Sequence, residues 1–335
     1  MTLPASHPTI PLSRIGILLI NLGTPDAPDE AAVRRYLAEF LSDRRVVEIH
    51  PLAWKPILHG LILRTRPRRS AEAYSQVWTN DGSPLAAVVK RQTSALRDRF
   101  GPDVQVEFAM RYGNPGITKV VEEMVAAGCD RIFAAPLYPQ YCAATTATAN
   151  DAVFAALAAM RHQPALRTLP PYYDDPLHID ALRANLTRQI AALDFEPERI
   201  VLSFHGMPQR TLDLGDPYHC HCQKTARLLS EALGRPVDVS FQSRFGRAKW
   251  LEPATDVTLV RLAQEGVRRI AVAAPGFSAD CLETLEELGI RGRESFEEHG
   301  GEQFALLECL NDSPESIFML ESLIRRELAG WLTEE

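Results

Sequence analysis

Short apolar runs, each closed by glycine or proline, recur along this chain and alternate with stretches of helical periodicity. Residues 15–22 read Ile-Gly-Ile-Leu-Leu-Ile-Asn-Leu before Gly23-Thr24-Pro25; residues 200–205 read Ile-Val-Leu-Ser-Phe-His before Gly206-Met207-Pro208. Continuous apolar character bounded by turn residues predicts strands buried on both faces. A second pair shows the alternation of a strand ending in arginine. It comprises Val104-x-Val106-x-Phe108-x-x-Arg111-Tyr112-Gly113 and Val237-x-Val239-x-Phe241-x-x-Arg244-Phe245-Gly246. A third pair runs from Gly128 to Pro136 and from Gly266 to Pro275, with Arg131-Ile132-Phe133 matching Arg269-Ile270-Ala271. Helical segments over 117–127 and 257–265 precede the third pair. Three pairs in one order predict an α/β protein of two similar Rossmann-like lobes. Each lobe is expected to hold a mostly parallel four-stranded sheet, with strand ends from both lining one cleft.

The first lobe is expected over 10–170 and the second over 175–310, linked through Leu169-Pro170-Pro171-Tyr172-Tyr173. Residues 314–335 pattern as a helix packing back on the first lobe. Within the first lobe, residues 51–69 carry Trp54, Ile57, Leu58, Leu61 and Ile62 on one side and end in Arg64, Arg66, Arg68 and Arg69. That pattern suits a short interfacial helix touching an anionic bilayer. It equally suits a helix packed on its lobe with a solvated basic tail.

Composition narrows the classes. The chain has 335 residues, 46% of them hydrophobic, and a formal net charge of −7, so no general nucleic-acid footprint is expected. Six cysteines scattered through so long a chain argue for a reducing compartment. The first twenty residues lack a basic segment followed by a long apolar one, and no apolar run approaches membrane-spanning length. A cytoplasmic protein is expected, with peripheral contact to the membrane as the open question. A nucleophile elbow, a phosphate-binding loop and a dinucleotide fingerprint are all missing from the sequence.

Two features carry candidate chemistry. His205 closes an apolar run where open α/β sheets place their ligand sites. After Pro275, Ser278 is placed to cap a helix on which Asp280, Glu283 and Glu287 fall at i, i+3 and i+7. Such a column also complements the dipole of a solvated helix start. If it shares a cleft with His205, imidazole and carboxylates together suit loose binding of Fe²⁺ and the acceptance of protons.

The segment Leu202-Ser203-Phe204-His205-Gly206-Met207-Pro208, followed by Gly215-Asp216-Pro217-Tyr218, resembles the signature of the ferrochelatases, which insert Fe²⁺ into a porphyrin. The likeness extends over essentially the whole chain, through Ile17 to Pro25, Gly82-Ser83-Pro84-Leu85, Phe108 to Tyr112, Pro136 to Cys142 and Pro275 to Glu287. The resemblance implies that His205 is the active-site histidine, a base for pyrrole N–H protons or a metal ligand. It makes Glu283 the partner carboxylate across the porphyrin. Asp280 and Glu287 become an acidic path on a helix partly wound as a π-helix. Arg111, Tyr138, Trp250, Phe277 and Leu22 are implied as porphyrin-binding residues.

Leu22, directly before Gly23-Thr24-Pro25, replaces the tyrosine typical of enzymes acting on coproporphyrin. The resemblance therefore implies protoporphyrin IX as substrate and haem b with two protons as products. A coproporphyrin enzyme and a non-catalytic porphyrin- or haem-binding protein are the alternatives. Fe²⁺ is then a substrate and no resident cofactor is required. A [2Fe–2S] cluster of the kind some members hold needs cysteines in a C-terminal extension, and residues 323–335 hold none. A set drawn from Cys142, Cys220, Cys222 and Cys281 is the other arrangement the sequence offers.

Overall fold

The computed structural model describes residues 13–244, 246 and 248–332. Residues 10–12 of the expected first lobe, 333–335 of the expected tail and Phe245 of the second repeat lie outside the described residues.

Two four-stranded parallel sheets form the protein. In the first, β1 (Arg14–Thr24) lies between β2 (Val104–Gly113) and β3 (Cys129–Pro136), with β4 (Ala165–Thr168) at the edge. In the second, β5 (Arg199–His205) lies between β6 (Val237–Gln242) and β7 (Arg269–Ala273), with β8 (Gln303–Leu306) at the edge. The strand orders β2-β1-β3-β4 and β6-β5-β7-β8 are the same order twice. Ile17 through Ile20 on β1 and Ile200 through Leu202 on β5 are wholly buried, because crossover helices cover both faces of a parallel sheet.

The register departs from the expected duplication in one place. Ile17 pairs with Val106 and Phe133, while Ile200 pairs with Val237 and Ala271. The first and third repeats keep their sequence alignment, but Val237 is the counterpart of Val106 and not of Val104. The sequence frame for the second repeat is therefore two residues out. Backbone hydrogen bonds agree: Met110 N–H donates to Pro115 O at 2.7 Å, and Phe241 N–H to Pro253 O at 2.9 Å. Arg111 thus corresponds to Gln242, and Arg244 lies beyond the strand in an exposed ion pair with Asp256. A slip of two leaves every side chain on its original face, so alternation alone does not detect it.

The helix Pro314–Glu327 packs on the helices Pro84–Phe100 and Pro176–Ala191, closing the chain against both lobes. Its Arg325 donates to Arg99 O at 2.8 Å and covers the Phe100 ring, and Arg326 pairs with Asp175 at 2.7 Å.

Candidate active site

The carboxyl ends of the two sheets meet. Asn21, near the end of β1, donates from Nδ2 to Ser278 Oγ in the loop after β7 at 3.3 Å. Gln140 Nε2 donates to Thr225 Oγ1 at 3.0 Å, and Ala143 N–H to the Asp216 carboxylate at 2.8 Å. Tyr173 stacks on His221 with ring centroids 3.6 Å apart. The three hydrogen bonds join one lobe to the other, and the stack ties the linker to the second.

His205 is the last residue of β5 and is half-buried. Its Nδ1 lies 2.7 Å from Gly206 O. A carbonyl oxygen only accepts, so Nδ1 carries the hydrogen and the neutral ring keeps its lone pair on Nε2. Gly206 is required at this corner: its N–H donates to Gln242 O at 2.7 Å, and a Cβ would lie 2.5 Å from that oxygen. The same Cβ would meet Trp250 Cε3 at 3.3 Å, which places the indole against the residue following His205.

Glu283 opens a π-helix, Glu283–Gly292. In such winding the backbone bonds run i to i+5, and π segments cluster at functional sites. The Glu283 end faces the first lobe: Leu282 packs against Val33, Ala71 and Tyr74. Burial raises the phenols of Tyr36 and Tyr74 well above the usual value, and the nearby Glu283 charge raises both further.

Ser278 does not cap this helix, which starts at Leu282; its hydroxyl instead receives the Asn21 bond. Asp280 lies just before the helix. Its buried carboxylate accepts from Thr284 Oγ1 at 2.8 Å, Asn311 Nδ2 at 2.7 Å and Cys309 N–H at 3.3 Å. Glu287 accepts from Ser243 N–H at 2.7 Å and Ser243 Oγ at 2.6 Å. It thereby holds Ser243 at a φ of 65°, a left-handed conformation uncommon outside glycine. Glu286 is buried and forms a two-pronged pair with Arg291 at 2.8 and 2.9 Å. Both Asp280 and Glu287 are thus engaged with protein partners.

Among the porphyrin-binding candidates, Arg111 is held by Asp43 at 2.5 Å and by Thr148 O and Oγ1 at 3.0 and 2.7 Å. Tyr112 OH donates to the same Asp43 oxygen at 2.8 Å, and Thr148 Oγ1 joins it. Burial alone would raise the Asp43 carboxyl; bonds from Thr148, the Arg45 backbone and Tyr112, with the Arg111 charge, outweigh it and lower the pKa. Asp43 was not legible as a functional residue, being a single acid in a loop without periodicity.

Tyr138 brings a buried hydroxyl lacking a protein partner, with Arg111 and Tyr112 nearby. Leu22 is half-buried at the end of β1, its N–H bonded to Asn21 Oδ1 at 2.8 Å. Phe277 packs between the second-lobe core and a cluster of Leu85, Val88, Ala279 and Cys281.

The four cysteines named as a ligand set are not gathered together. Cys142 and Cys222 neighbour one another, and burial raises the Cys142 thiol to about 12. Cys281 neighbours Cys309 instead, and Cys220 is exposed. Among the described residues, no group of three or more His, Cys, Asp or Glu side chains is placed to hold a metal.

The segment 51–69 folds as the helix Pro51–Ile57, a π turn Leu58–Ile62 and the start of the helix Leu63–Val77. Trp54, Leu58 and Ile62 face inward, with the Trp54 indole donating to Leu41 O at 2.6 Å. Leu52 and Leu61 point outward, 82% and 57% exposed, together with Ile57. No helix among the described residues is long and apolar enough to cross a membrane.

This architecture is that of the chelatases. The chain superposes on SirB from Bacillus subtilis with Fe³⁺ at a TM-score of 0.58, with 14% identity, covering 95% of this chain and 97% of that one. A second SirB structure, a sirohydrochlorin chelatase in complex with cobalt, gives 0.55 at 13% identity, covering 95% and 96%. At such identities the likeness concerns the fold.

Sequence comparison is narrower. A sequence model described as Ferrochelatase matches residues 14–328. Ferrochelatase from Rhizobium meliloti (strain 1021) is 55% identical over 333 residues, spanning 97% of this chain and 98% of that protein. Ferrochelatase from Agrobacterium fabrum is 50% identical over 339 residues, spanning 98% of each. The chain belongs to the ferrochelatase family, and is a metal-chelating enzyme of haem biosynthesis.

Proposed function

We propose that this enzyme inserts Fe²⁺ into protoporphyrin IX, forming haem b. The ion enters as Fe²⁺, the two pyrrole N–H bonds break, and two protons leave, so charge and atoms balance without a redox step. No resident cofactor is needed. His205 and Glu283 are the groups assigned to this chemistry. The His205 tautomer supports the assignment: with Nδ1–H given to Gly206 O, Nε2 is free to accept a pyrrole proton or to meet the ion. Glu283, at the start of the π-helix beside Tyr36 and Tyr74, supplies the second acceptor. One group receives protons as the other faces the metal.

The observation that carries this reading is the joint between the lobes, where the end of β1 meets the loop before Glu283 and the end of β6, paired with His205, bonds Glu283 itself. Leu22 favours protoporphyrin IX, since an apolar residue offers nothing to the extra carboxylates of coproporphyrin. The exposed Leu52, Ile57 and Leu61, followed by Arg64, Arg68 and Arg69, suit a peripheral seat on an anionic bilayer, where an apolar porphyrin resides.

The test is anaerobic metal insertion with protoporphyrin IX and coproporphyrin III in parallel, followed by loss of the free-base spectrum. Faster turnover of protoporphyrin supports the reading. Preference for coproporphyrin overturns the substrate assignment and keeps the enzyme. Tight porphyrin binding without insertion overturns both.

A further inference from the structure

His205 and Glu283 lie on different elements, and a single buried side chain spans them. Gln242 is the last residue of β6, is only 2% exposed, and pairs in register with His205. Its backbone oxygen accepts from Gly206 N–H at 2.7 Å. Its side-chain Oε1 accepts from Ser203 Oγ at 2.8 Å, two positions before His205 on β5. Its Nε2 donates to the backbone oxygen of Glu283 at 2.8 Å. One amide therefore grips the His205 strand with its oxygen and the first turn of the π-helix with its nitrogen.

The next residue reinforces the link. Ser243 bonds the Glu287 carboxylate through both its N–H and its hydroxyl, at 2.7 and 2.6 Å. Glu287 lies four residues after Glu283 on the same π-wound segment. The end of β6 thus fastens the helix at Glu283 through a backbone acceptor and at Glu287 through a charge-assisted pair. Ser203 is itself anchored, since Thr255 Oγ1 lies 2.8 Å from its hydroxyl and also donates to Ser240 Oγ. The Thr255–Ser203–Gln242 chain is buried throughout, where bonded polar networks rigidify what they join.

We infer that Gln242 is a positioning residue that sets the placement of Glu283 relative to His205. Apolar packing around β5 and β6 holds the second lobe together without it; the amide fixes the angle at which the π-helix leaves the sheet. This inference rests on His205 and Glu283 being the reacting pair.

The experiment compares Gln242→Met, Ser203→Ala, His205→Ala and Glu283→Gln in the full chain. It measures kcat, KM for porphyrin, porphyrin affinity by fluorescence quenching, and melting temperature. Gln242→Met keeps side-chain length and removes both amide bonds. It is expected to lower kcat about 10- to 100-fold, the scale of a misplacement near 1 Å, with porphyrin affinity and KM within about three-fold. Ser203→Ala is expected to move kcat the same way by less, since Thr255 keeps Ser240 as a partner. Combining Gln242→Met with Ser203→Ala is expected to be no worse than Gln242→Met alone, as members of one chain are not additive.

A Gln242→Met protein with kcat within about two-fold of the parent would overturn the inference. So would a kcat loss that tracks the melting temperature and disappears in a cooler assay. If Gln242→Met does not fold, Ser203→Ala decides by the same criteria. Full activity in His205→Ala or Glu283→Gln overturns the underlying assignment instead, and takes this inference with it.

Discussion

Asn21 and Ser278 are 257 positions apart in sequence, yet the amide of one donates to the hydroxyl of the other at 3.3 Å. Their bond joins the end of the first sheet's central strand to the loop that leads into Glu283. The two duplicated lobes therefore face each other by their carboxyl ends, the edge at which open parallel sheets present ligand-binding loops. Glu283 follows five residues after Ser278, and Gln242, paired with His205, bonds its backbone oxygen.

Gly206→Ala should injure activity more than stability. Its new Cβ would lie 2.5 Å from Gln242 O and 3.3 Å from Trp250, so β5 must draw away from β6 at His205. We expect a stability loss of about 1–3 kcal/mol, typical of overpacking. The larger fall should be in kcat. Denaturant melts and steady-state rates on one preparation check both.

Asp43→Ala should destabilise the first lobe. The carboxylate joins Arg111 and Tyr112 on β2 to Thr148 at the start of the helix Thr148–Ala158, and both charged side chains are largely buried. Removing it strands the guanidinium, at a cost of about 3 kcal/mol. Asp43→Asn should recover part of this by restoring an acceptor. Urea unfolding of the three proteins gives the ordering.

Much of this was legible in the sequence, and the failures have physical causes. Buried parallel strands announce themselves as apolar runs closed by glycine or proline, so all three repeats mark real strands. The slip between Val104 and Val106 escaped because a period of two is blind to shifts of two. Ser278 read as a helix cap because its spacing suits one, but the contact that claims it comes from the other lobe. The partners of Asp280 and Glu287 were not legible, because sequence does not disclose which groups a carboxylate will meet. Gln242 carried no signal, since a neutral amide becomes informative only when both its ends are seen to be bonded.

Acid should weaken the fold through His178. The ring is buried against Tyr172, neither nitrogen has a protein partner, and burial lowers its pKa to about 4 from the usual 6.5. Between those values the unfolded chain binds a proton that the folded one refuses, so stability falls as pH drops through the window and is unaffected above it. The full loss is about 3 kcal/mol by pH 4. Melting temperatures of the parent and His178→Phe at pH 7 and pH 5 should diverge at the lower pH, with the variant less acid-sensitive.

Membrane contact should depend on the outward face of the Pro51–Ile62 region. Leu52→Ser with Leu61→Ser removes two exposed side chains from that face without touching Trp54, Leu58 or Ile62 inside. Affinity for anionic phosphatidylglycerol vesicles, read by co-sedimentation, should fall about 100-fold, given roughly 1.5 kcal/mol for each of the two leucines withdrawn from lipid. Turnover of detergent-solubilised porphyrin should be preserved. Equal sedimentation of both proteins would remove the membrane role.

The most direct measurement is single-turnover Fe²⁺ insertion by His205→Ala, with porphyrin affinity recorded on the same sample. Loss of a group that accepts a proton or meets the ion should lower the insertion rate by at least about 10²-fold and leave porphyrin binding within a few-fold. Insertion near the parent rate, with the macrocycle bound as before, would contradict the assignment of His205 and with it the chemistry placed at the joint.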